Sequence, residues 1–120
     1  MKRILIASLL IAGLLSACQP QNGGGDKVRI GVFMSTTGTT ANFGISSVNG
    51  IKMAADEINK AGGINGKQVE LLVQDDRSDA SEAATIVTKF VTQDQVNAVI
   101  GEVASSRSIA ASFTTPATSR

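Results

Sequence analysis

Beyond residue 26 the apolar positions of this 120-residue chain alternate between two spacings. Val28-Arg29-Ile30-Gly31-Val32-Phe33-Met34 is a short apolar, β-branched run and predicts a first strand. Ser35 to Gly44 is rich in Thr and Gly and is expected to be a loop. Val48, Ile51, Ala55 and Ile58 recur at three- and four-residue spacing, which predicts a helix with one apolar face, stopped at Gly62-Gly63. Asn65-Gly66 is a strong turn signal. Val69 to Val73 predicts a second strand, ending at the acidic pair Asp75-Asp76. Asp79 and Glu82 have capping-box spacing ahead of a second helix through Ala83, Ile86, Val87 and Phe90. Asn97 to Ile100 predicts a third strand, and Ser105-Ser106 open a third helix.

The order β-α-β-α-β, with mostly apolar strands, predicts an α/β fold whose parallel, doubly wound sheet is covered on both faces. Three strands make half of such a sheet, and a fourth would normally cover the remaining edge. The chain is therefore expected to be the front end of a longer protein. An ordered part of about 90 residues buries only some 60–65% of its unfolded surface, so the isolated piece is expected to be marginally stable.

The first 26 residues follow neither spacing. Met1-Lys2-Arg3 is basic, and Ile4 to Leu15 is an apolar run broken only by Ser8 and Gly13, too short to span a bilayer. A charged start and apolar middle predict a secretory signal. Leu15-Ser16-Ala17-Cys18 then resembles the bacterial lipobox, in which the Cys takes lipid and becomes the first residue of the mature chain. The alternative is a plain signal peptide with an incidental Cys. The expected layout is a signal peptide over 1–17, a flexible tether over 18–26 and a partial lobe over 27–120, exported and held at a membrane through Cys18. Loss of 1–17 leaves nine basic and ten acidic residues, a net charge of −1.

Composition narrows the chemistry. One Cys excludes an internal disulfide, and the lack of His leaves neither a zinc cluster nor a Ser-His-Asp or Cys-His relay. Near-neutral charge and four aromatics, all Phe, give no footing for nucleic acid. No metal, cofactor or enzymatic activity is expected.

Several segments together carry a family resemblance. They are Ile30-Gly31-Val32, Thr37-Gly38 and Ala41-Asn42-Phe43-Gly44, then Gly50, Ala54-Ala55 and Ile58-Asn59. Ala61-Gly62-Gly63-Ile64-Asn65-Gly66-Lys67, Asp75-Asp76, Val99-Ile100-Gly101 and Ser105-Ser106 complete the set. The chain resembles the type I periplasmic solute-binding proteins, in the branched-chain amino-acid (Leu/Ile/Val) branch served by ABC importers. The resemblance covers roughly residues 27–108, about a quarter of a full family member. It implies a two-lobed receptor that closes over a solute in the cleft and is then recognised by the permease subunits. No chemistry is done on the solute.

The resemblance places Ser105 at the solute's α-carboxylate, where unpaired backbone N–H groups and the dipole of a helix start favour an anion, with Ser106 able to share the role. The competing reading of Ser105 is a plain N-cap. Phe43 lies where the family often sets an aromatic against the ligand's apolar side chain; otherwise it packs the loop down. Asp75 and Asp76 are adjacent, so on a strand they point to opposite faces and are expected to be structural. Glu102, near Ser105, would repel a carboxylate if it faced the cleft, or contact an ammonium group; repulsion would favour an amide or another uncharged solute.

Two other motifs fail. Gly62 to Lys67 lacks the first Gly and the Ser/Thr of a phosphate loop and runs from helix to strand. Ser35 to Thr40 offers one Gly where a dinucleotide site needs three. Pro116-Ala117-Thr118 follows Ser105 too closely to be the family's next ligand segment, so no contact is carried onto it. The alternatives to an amino-acid receptor are a receptor for amides, urea or aromatic acids on the same fold, or a truncated, non-functional fragment.

Overall fold

The computed structural model describes residues 27–113. Three strands and three helices alternate: β1 (Val28–Met34), α1 (Ala41–Lys60), β2 (Val69–Asp75), α2 (Ala80–Thr92), β3 (Ala98–Ile100) and α3 (Ser105–Ser112). The sheet is parallel with order β2-β1-β3. β1 pairs along its whole length with β2, from Val28 opposite Val69 to Met34 opposite Asp75. β3 pairs over three positions, Ile30 with Ala98 to Val32 with Ile100.

Alternation along β1 divides the core in two. Val32 and Met34 face α1 and pack with Val48, while Phe33 faces the other way into Ala83, Ile86, Val87, Phe90 and Ala111. Helices thus lie on both faces, α1 on one and α2 with α3 on the other, as the doubly wound reading requires. Phe90 is fully buried, and its ring occupies the space a Cβ on Gly31 would need.

The predicted punctuation forms. Helix α1 ends with Gly62 at φ 106°, its N–H donating to the Asn59 carbonyl and that of Gly63 to Ile58, a Schellman arrangement. Asn65 and Gly66 both take positive φ in a two-residue turn, closed by reciprocal bonds between Ile64 and Lys67. The Asn59 side chain then clasps the backbone of Val69 through both its amide atoms, at 2.9 and 2.7 Å, fixing the end of α1 to the start of β2.

Four expectations are corrected. Helix α1 starts at Ala41, inside the expected loop, because Gly44 is a buried helical residue seated against the backbone of Ser35. Asn97 lies before β3; its side chain accepts from the Arg29 N–H at 2.8 Å, and its own N–H donates to the Arg29 carbonyl. β3 is not covered on both faces: Ala98, Val99 and Ile100 are all exposed. At α2 only the forward half of the capping box forms. Asp79 accepts from the Glu82 N–H at 2.8 Å, but the Glu82 side chain pairs with Arg77 instead of turning back.

Candidate functional site

Strand order reverses between β1 and β3, so the connections leaving those two strands run to opposite faces of the sheet. In open α/β sheets that divergence opens a crevice beyond the carboxyl ends of the strands. Here it is bounded by Ser35–Thr40 with the first turn of α1, and by Gly101–Ala104 with the first turn of α3.

The first connection is held from β2. Asp75 accepts from the N–H groups of Thr36 (2.9 Å) and Thr37 (3.2 Å), the Thr37 hydroxyl (2.6 Å) and the Arg77 N–H (2.9 Å). Partial burial pushes the Asp75 carboxyl up. The Thr37 hydroxyl and the Arg77, Thr36 and Thr37 N–H groups outweigh it and lower the carboxyl to about 2. Its neighbour Asp76 is fully buried and accepts from the Ser35 hydroxyl and the Ser78 N–H. The two carboxylates hold backbone and hydroxyls, the structural role expected of them.

The second connection is organised by Glu102, which is buried. One carboxylate oxygen accepts from the Ser35 N–H at 3.1 Å, the other from the Ala104 N–H at 2.8 Å and Arg107 Nε at 2.9 Å. Burial pushes the Glu102 carboxyl up, but the Ala104 and Ser35 N–H groups and the Arg107 guanidinium together hold it below its ordinary value. The lip position expected from sequence is thereby corrected, because Arg107 satisfies this charge from within. Arg107 also donates from Nη2 to the Thr40 hydroxyl at 2.6 Å, joining the first turn of α3 to the residue that precedes α1.

Above this network lies the start of α3. Ala104 is its N-cap and lacks a side chain able to cap it, which sets Ser105 and Ser106 as the first two helical residues. The plain N-cap reading of Ser105 is therefore corrected. Both serines are exposed, and among the described residues neither their N–H groups nor their hydroxyls have a hydrogen-bond partner. Phe43 stands in the first turn of α1, not in a loop, and is 68% exposed. It does not pack the connection down. Through Arg107 and Thr40, its turn is tied to the turn that carries Ser105 and Ser106. Cys18 and Pro116-Ala117-Thr118 lie outside the described residues.

Sequence reasoning missed Arg107, Thr40 and Ser35. The available signal was a lone Arg two places beyond Ser105 in a helix otherwise built of Ser, Ala and Ile, and a Ser directly after the apolar run Ile30–Met34.

Residues 27–117 match the sequence family described as periplasmic binding protein. The chain belongs to the periplasmic binding protein family. Within that family it is 41% identical over 85 residues to an amino acid binding protein of Pseudomonas aeruginosa, covering 71% of this chain and 23% of that protein. It is 37% identical over 102 residues to the leucine-, isoleucine-, valine-, threonine- and alanine-binding protein of the same organism, covering 85% and 26%. Among solved structures it superimposes on the branched-chain amino acid transporter substrate-binding protein LivJ of Streptococcus pneumoniae, crystallised with isoleucine. There the TM-score is 0.73 and the identity 39%, over 74% of this chain and 26% of that one. As a periplasmic binding protein, the chain thus spans about a quarter of the length of these relatives.

Proposed function

We propose that this chain supplies the carboxylate-binding half-site of an extracytoplasmic solute receptor for an ABC importer, taking branched-chain amino acids. The observation that carries the reading is the open start of α3. Two unpartnered N–H groups and two hydroxyls lie at the positive end of a helix dipole, at the switch point of the sheet. Donors so placed suit an α-carboxylate. Phe43, exposed on the neighbouring turn, is the apolar surface for the solute's side chain. Repulsion from Glu102 would have favoured an amide or another uncharged solute, and the Arg107 pairing removes that argument.

In this reading residues 1–17 are cleaved, Cys18 carries the lipid, 18–26 tether the lobe, and the permease subunits receive the solute from the closed receptor. Relatives named for leucine, isoleucine and valine support the solute class. A titration of the full chain, labelled with nitrogen-15, with leucine tests the reading. The Ser105 and Ser106 amides are expected to shift together and saturate. Shifts confined to residues away from α3 and the first turn of α1 would refute it.

A further inference from the structure

The crevice has an electrostatic problem that its surface does not reveal. Two buried carboxylates, Asp76 and Glu102, hold the connections on either side of it: both accept from Ser35, and Glu102 also accepts from the N–H of Ala104, the residue before the donors proposed to receive an anion. One buried cation answers them: Arg107 is 6% exposed, bonds Glu102 at 2.9 Å and stands 4.0 Å from Asp76. With Arg107 in place the buried group carries a net charge of −1, and without it −2. At low effective dielectric such a charge acts over the few ångströms to the α3 start far more strongly than in water. Arg107 also has a mechanical role. Its Nη2 reaches Thr40, while Glu102 holds the N–H groups of Ser35 and Ala104, so a single ion pair sets both walls of the crevice relative to each other.

We propose that Arg107 is a positioning and specificity-determining residue. It cancels Glu102 beneath the α3 start and locks the α1 and α3 turns together, so that the crevice accepts a carboxylate. This rests on the carboxylate-binding reading above. Arg107 acts through Glu102 and Thr40 and does not itself touch the solute.

The test compares the wild type, R107Q and the double variant E102Q/R107Q, each as the full chain. Two readouts are taken: ligand-free hydrogen exchange at the Ser35 and Ala104 amides, and affinities for leucine and for its uncharged amide, leucinamide. In R107Q, exchange at both amides is expected to accelerate. Leucine affinity should fall about tenfold or more, with leucinamide affected much less, because only leucine carries the repelled charge. In the double variant, removal of both charges should restore most of the preference for leucine. Equal losses for the two ligands in R107Q, or no recovery in the double variant, would reduce Arg107 to a packing residue. If the wild type binds neither ligand, the carboxylate reading fails by itself. The exchange arm then decides the latch alone: unchanged exchange in R107Q overturns it. Should R107Q not fold, R107K serves. It keeps the charge and loses the fork, so both affinities are expected to drop while the preference for leucine stays, and loss of that preference would overturn the proposal.

Discussion

At the scale of single residues, Ser105 and Asp75 use the same chemistry in opposite directions. Ser105 presents unpartnered donors outward, whereas Asp75 consumes four donors from its surroundings. Replacing Ser105 by Ala removes one charge-assisted hydrogen bond to the proposed carboxylate and is expected to weaken leucine binding by about 1–3 kcal/mol. Calorimetry on the full chain checks this, and an unchanged affinity would exclude the hydroxyl from the site. For Asp75 the folded carboxyl titrates at about 2, below the ordinary 3.8. Because the folded value is depressed, its stabilisation is complete above about pH 4 and fades as pH falls through the folded value. The urea midpoint of the wild type should therefore drop between pH 4 and pH 2, and that of Asp75→Asn should drop less. Equal slopes would show that the first connection does not depend on this charge. Sequence made Ser105 and the Asp pair visible because each ends or begins a periodic segment. Arg107 stayed hidden, since nothing in local spacing tells whether a helical Arg points to water or into a buried carboxylate.

At the scale of elements, helix α1 carries two glycines with opposite demands. Gly44 is buried, and a Cβ there would fall on the backbone of Ser35, which cannot swing aside as a long side chain can. Gly50 is exposed in the same helix and has nothing within 4 Å of the corresponding position. Gly44→Ala is thus expected to destabilise by about 3 kcal/mol or more through forced separation of α1 from the first connection. Gly50→Ala should stabilise by roughly 1 kcal/mol through the lower backbone entropy of Ala. Equilibrium denaturation of the two variants checks both signs, and a tolerated Gly44→Ala would mean that α1 does not need this close approach. In α2 the Asp79 cap makes its bond to the Glu82 N–H, so Asp79→Ala should cost about 1 kcal/mol in the same measurement. Strand β1, the Asn65-Gly66 turn and the Asp79 cap were legible because local chemistry alone dictates them. The start of α1 was not. A Gly closing a Thr-rich stretch, as Gly44 does, looks like loop until the partner that requires its missing side chain is known.

At the scale of the whole molecule, the sheet is asymmetric. β1 is paired on both sides and lined by both cores, whereas β3 is short and exposed along its length, and Val103, Ile109 and Phe113 are exposed after it. The proposed half-site at the start of α3 therefore follows directly on the least covered strand of the fold. The order of elements and the doubly wound topology could be read from alternating periodicities, because each strand and helix announces its own buried face. Uncovered apolar surface could not be, since an exposed Val and a buried Val look alike in sequence. The proposed anchor belongs to this scale too. In the proposed layout the lobe is held at the membrane through Cys18. Each buried methylene of an acyl chain contributes about 0.8 kcal/mol, so one chain holds weakly and two or three hold firmly. Cys18→Ser removes the thiol that would carry them. The wild type is expected to incorporate radiolabelled palmitate and enter the detergent phase on phase separation, and the variant to do neither. Label retained by the variant would place the lipid elsewhere. An unlabelled wild type would make residues 1–17 a plain signal peptide and leave the solute site free of any membrane.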